Sequence, residues 1–135
     1  HYRKGDSIQM AFEDIGKSIS LPADADLSAS QDCFVKLANS SGVARAALCS
    51  TGQDAIGVLQ NDPDAANRAA QIAISGICKI KAGAAITAGA NVGSDSTGRG
   101  ITVATGGYIM GKALESAAAA NEKIAMLIMR GAAKL

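Results

Sequence analysis

Larger apolar residues along this chain recur at every second position far more often than at helical spacing. In AQIAISGICKIKAG, residues 70–83, Ile72, Ile74, Ile77 with Cys78, and Ile80 alternate with smaller or polar neighbours, and the pattern breaks once, at Gly76. Alternation of this length predicts a half-buried strand, and the glycine at the break predicts a bulge. Shorter β-like runs lie at 55–60 (AIGVLQ), 100–104 (GITVA) and 107–114 (GYIMGKAL). Residues 123–129 (KIAMLIM) form a dense apolar run short enough for a buried strand. Residues 33–37 (CFVKL) and 43–48 (VARAAL) flank Asn39-Ser40-Ser41-Gly42, a turn composition that predicts a hairpin.

The punctuation agrees. Gly83, Gly89, Gly93, Gly98, Gly106 and Gly107 arrive every few residues. Ser94-Asp95-Ser96-Thr97-Gly98 is a polar stretch expected at a hairpin tip. Asn61-Asp62-Pro63-Asp64 is expected as a loop, because Pro63 lacks an N–H and restrains Asp62. Only 115–121 (ESAAAAN) has helical composition, and a segment that short is expected as a loop or a single turn. Short strands with turns between them predict a barrel or sandwich.

The first 22 residues have their own character. Ile8, Met10 and Phe12 alternate within 7–13, residues 17–21 (KSISL) alternate again, and Pro22 closes the run. Residues 7–21 read either as the first hairpin of the barrel or as an extended arm that adds strands to a neighbour, since edge addition uses main-chain hydrogen bonds and alternate side-chain pockets. Ala23-Asp24-Ala25-Asp26 then reads as a linker. The division expected is an arm over 1–22 and a domain over 23–135.

Composition narrows the functional classes. At 135 residues the chain suits one domain, burying roughly two-thirds of its extended surface. Nearly half the residues are hydrophobic, yet only four are aromatic, so the core is built from Ala, Val and Ile and packs thinly. Partner subunits are expected to supply part of the burial. A net charge of +1 gives no general drive toward nucleic acid or an anionic membrane. No stretch approaches the ~18–20 apolar residues of a spanning helix. No secretory signal pattern is present, and with His1 in first place the start carries no information. Cys33, Cys49 and Cys78 are odd in number and widely spaced, and read as small buried hydrophobes.

Candidate chemistry is sparse. His1, at the extreme terminus, is the only histidine, so a Ser–His–Asp or Cys–His arrangement would have to use it, and a two-His metal site is impossible within one chain. Asp24, Asp26, Asp32, Asp54, Asp62, Asp64 and Asp95 all fall in or beside predicted turns, where aspartate caps backbone donors. Asp95-x-Thr97-Gly98 matches only a fragment of a calcium loop. Lys79 and Lys81 alternate with Ile80 and read as a solvated strand face. The residues alone therefore describe a small glycine-punctuated β domain that works by its surfaces, with no cofactor and no metal expected.

Residues 57–130 carry more. GVLQNDP leads to QIAISGICKIKAGAAITAGANVGSD and then to STGRGITVATGGYIMGKALESAAAANEKIAMLIM. This order resembles the small capsid decoration (cement) proteins of tailed bacteriophages, over about the last 80 residues and more loosely over 34–48. The resemblance implies an all-β, β-tulip (small, barrel-like) domain with an extended N-terminal arm, and the family's turn glycines fall on Gly83, Gly89, Gly98 and Gly107. It implies a structural virion protein on the outer surface of the capsid, made in the host cytoplasm, that cements neighbouring major capsid subunits against internal DNA pressure. It implies no catalysis, no nucleic-acid or membrane partner, and a homo-oligomer, with a trimer favoured over a dimer. On the arm, Tyr2, Arg3, Ile8, Met10, Phe12, Ile19 and Leu21 are the capsid-binding candidates. Two other classes stay open: a β module of a tail fibre or a sugar-binding domain, for which four aromatics leave few stacking platforms, and an enzyme or swinging carrier domain, whose lysine is missing from the 94–98 tip.

Overall fold

The computed structural model describes residues 13–129 and 134–135. None of these is helical. Nine strands follow one another: β1 (Asp14–Pro22), β2 (Phe34–Ser40), β3 (Val43–Leu48), β4 (Gly57–Leu59), β5 (Ala69–Lys81), β6 (Asn91–Ser94), β7 (Gly100–Thr102), β8 (Gly111–Ala113) and β9 (Lys123–Ile128). All named strands pair antiparallel in one sheet of order β3-β2-β4-β5-β9-β8-β6-β7, with β1 added to β5. The molecule is thus the all-β, barrel-like domain expected.

The long strand β5 organises the rest. β1 pairs along Ala69–Ile77 on one edge, while β4 (opposite Ile72 and Ala73) and then β9 (opposite Ile77–Lys81) share the other. The sheet curls at both ends. Ala23, just past β1, bridges Ala46 of β3, and Ala82, just past β5, bridges Gly100 of β7.

Two core clusters result. The first gathers Phe34, Val58, Ala73, Cys78, Ile80, Val92, Met110, Ile124 and Met126 with several small residues. The second gathers Leu27, Val35, Ala46, Leu59, Ala70 and Ile72, with Ile19, Leu21 and Ile74 packed against it. The register explains the division. Phe34, Val58 and Ala73 form one cross-strand row and enter the first cluster; Leu59 and Ile72 form the next row and face the second. Strands buried on both faces read as near-continuous apolar runs.

The bulge at Gly76 follows from this double burial. Ala70, Ile72 and Ile74 face the second cluster, whereas Cys78, Ile80 and Ala82 face the first. Odd-numbered Ala73 shares a face with even-numbered Cys78, so one residue between them must break the alternation. Gly76 does so at φ +86°. β1 carries a matching irregularity, with shifts on both sides of Lys17, so the register is the same before and after: Asp14 opposes Ile77 and Ser18 opposes Ala73.

Three expectations are refined. The described part of 7–21 is one continuous strand through Asp14–Pro22, with no hairpin turn at 14–16. Residues 115–121 form a loop because their amides bond across the fold: Ala117 exchanges hydrogen bonds with Ile86, and the Asn121 amide donates to the Ala82 carbonyl. β9 is half-buried, with Ile124 and Met126 inside and Leu127 39% exposed.

Candidate interaction surfaces

Asp26, Asp32, Asp64, Asp95 and Glu115 are engaged locally. Asp26 Oδ1 accepts the Ser28 amide at 2.9 Å, and the Ser28 hydroxyl and amide hold its carboxyl below the ordinary range. At the β6–β7 tip, Asp95 Oδ1 accepts the amides of Thr97 (2.8 Å) and Arg99 (2.9 Å), while Oδ2 pairs with Arg99 Nε at 3.1 Å. Arg99 Nη1 also donates to Asn121 Oδ1. Asp32, nearly buried, pairs with Lys123 Nζ at 2.8 Å. Buried Glu115 accepts the Ala125 amide at 2.8 Å and pins the 115–121 loop onto β9. Asp64 pairs with Arg68 on the surface. These are capping and bracing roles.

The three cysteines are free and buried. Burial pushes all three thiols up, Cys78 to about 12, so they stay protonated at neutral pH. The open hollow beside the tip is lined by Cys33, Leu48, Lys81, Thr97, Arg99 and Asn121, among others. Its arginine is already bound by Asp95 and Asn121, and its thiol is held protonated. No group of three His, Cys, Asp or Glu side chains is placed to hold a metal ion among the described residues.

Of the arm candidates, Tyr2, Arg3, Ile8, Met10 and Phe12 lie outside the described residues. Ile19 and Leu21 lie on β1, half-buried against the second cluster. Only the remaining exposure of these two side chains is available to a partner. β1 itself is exposed from Asp14 to Ser18, and among the named strands it pairs with β5 alone.

Sequence reading missed the exposed apolar residues of the body: Leu37 (53%) and Val43 near the β2–β3 turn, and Leu114 and Leu127 on the outer side of β8 and β9. Their signal was present. In KIAMLIM, Leu127 is out of phase with Ile124 and Met126, but a continuous apolar run hides a period of two.

Comparison with known proteins places this surface in context. A family model described as phage cement protein matches residues 15–128, from the start of β1 to the end of β9. No curated protein matches the chain. The crystal structure of the N base of the head fibre gp8.5 in bacteriophage phi29 shares the fold, with a TM-score of 0.71 at 16% sequence identity, covering 88% of this chain and 97% of that one.

Proposed function

The chain belongs to the phage cement protein family, a structural family of the phage capsid, and on that premise we propose that it binds the exterior of the assembled shell and clamps neighbouring major capsid subunits against the pressure of packaged DNA. The role is passive, without turnover. The observation that carries the reading is the family match across every strand of the sheet. Two features support it. Asp26, Asp32, Asp64, Asp95 and Glu115 are spent on turns and braces, and β1 offers a firm root for an arm. Tyr2, Arg3, Ile8, Met10 and Phe12 then reach across to the capsid, with Ile19 and Leu21 fixing the base of the arm to the body. A likeness in fold to the base of a phage head fibre is consistent with a domain that seats on a phage head. The thin, alanine-rich core suits assembly into a closed homo-oligomer, a trimer in this reading.

The test mixes purified protein with expanded, undecorated shells. Binding at about micromolar protein is expected, and its absence refutes the reading. Deleting residues 1–13 leaves β1 in place and isolates the arm. The expected result is affinity weakened about tenfold or more with the thermal midpoint unchanged; unchanged affinity refutes the arm. Sedimentation equilibrium reads the oligomer.

A further inference from the structure

The outer face of β5, β9 and β8 is assigned no role by the fold. Cross-strand pairing aligns Asp14, Ile77, Leu127 and Lys112 in one row over four strands. In the next row Lys79 opposes Ala125, whose carbonyl accepts the Leu114 amide, and beyond it Lys81 opposes Lys123. Leu127 and Leu114 are each 39% exposed and Ile77 is half-buried, forming a short apolar strip. Lysines border it, with Asp14 at one end of the row. Lys123 is committed to Asp32, and Lys81 Nζ reaches the Ala29 carbonyl at 3.4 Å. Lys79 and Lys112 flank the strip with no ion pair to another described residue.

We propose that this face docks the body onto the shell protein, at a patch where carboxylates ring an apolar centre. The inference rests on the cement reading above and deepens it by naming the surface and the chemistry of its partner. Three points select that occupant. Leucines within a lysine rim match the anatomy of a protein interface, with an apolar middle and polar edge. Lys79, Lys81 and Lys112 outnumber Asp14, the one carboxylate in these rows, which favours an acidic partner over a second copy of the same face. A nucleic acid would find no aromatic platform here and few phosphate contacts.

Lys79→Glu/Lys112→Glu and Leu127→Ser are the decisive variants, read by binding to expanded shells. Each is expected to weaken binding about fivefold or more, and wild-type binding is expected to weaken as NaCl rises from roughly 50 to roughly 300 mM. Arg68→Glu, on the exposed 64–68 loop, should bind like the wild type. Lys79 is half-buried, so if the double variant fails to fold by far-UV circular dichroism, exposed Lys112→Glu alone decides. Failure of the wild type to bind shells removes the cement reading. Wild-type binding with a change below about fivefold in the folded lysine variants overturns the docking face while leaving that reading intact. Loss of affinity for a short DNA duplex in the same variants, with shell binding unchanged, overturns it as well.

Discussion

Replacing Gly76 with alanine tests whether the bulge holds β1 on the sheet. At φ +86° an L residue costs about 1–2 kcal/mol. The added Cβ would also run into the Asp14 carbonyl oxygen and the Gly16 amide, and would lie 3.1 Å from the Ile15 carbonyl carbon. These are backbone atoms of β1, so only a shift of that strand relieves the clash. Gly42→Ala is the matched control. Its φ is +79°, and nothing lies within 4 Å of its added Cβ, so only the dihedral cost applies. At ~2.1 cal/mol/K per residue, 135 residues give an unfolding entropy of about 0.28 kcal/mol/K, and Gly42→Ala should lower Tm by about 4–7 °C. Gly76→Ala adds an overpacking cost of about 1–3 kcal/mol, for a total fall of about 7–18 °C. Calorimetry gives the midpoints, and hydrogen exchange resolved by peptide locates the damage. Faster exchange in 14–19 is expected for Gly76→Ala and not for Gly42→Ala. Equal falls in Tm with equal protection of β1 would refute the reasoning.

Other substitutions probe the core, the buried pair and the thiols. Ile80→Ala, at a fully buried site in the first cluster, should cost about 2–5 kcal/mol in urea unfolding, against about 0.5 or less for Leu37→Ala at the exposed hairpin end. Asp32 sits at φ +65° and binds Lys123, so Asp32→Asn, which tolerates that backbone, should be more stable than Asp32→Ala by about 1 kcal/mol. Burial raises Cys78 from 9.0 to about 12, so between these values the unfolded chain releases a proton that the native chain keeps. Stability is then full below pH 9 and falls on rising pH by about 1.4 kcal/mol per unit from this thiol, a slope that Cys78→Ala should remove.

The strand pattern was legible because alternation reports burial directly. Ile72, Ile74, Cys78 and Ile80 marked β5, and the single defect at Gly76 marked its bulge. Asn39–Gly42 marked the β2–β3 hairpin, whose Ser41 and Gly42 both have positive φ. Asp95 could be read as a capping residue from its place in a Ser-Asp-Ser-Thr-Gly stretch. The curl of the sheet was not legible. It depends on the pairings Ala23–Ala46 and Ala82–Gly100, between residues that carry no signature. The outer face was hidden for a different reason: Lys112, Leu127 and Ile77 are far apart in sequence and meet only through register. Lys79 and Lys81 were read as a strand face, but nothing in one strand says which neighbours complete it.

The scarcity of aromatics takes on a physical meaning in this arrangement. A sheet lined by Phe or Trp needs wide spacing across its interior, whereas Ala, Val and Gly let strands curl tightly. With no Trp, the chain encloses two small clusters in place of one large core. Each is modest, and β5 belongs to both. Ala70 and Ile72 close one cluster, Cys78 and Ile80 close the other, and β1 is bonded along the strand between them. Neither cluster can release β5 without exposing the other. β1 and the outer face are therefore held in fixed relation by one strand, as the proposed attachment through both arm and face would require: two contacts on a loosely joined body would lose the geometric match that lets both bind at once.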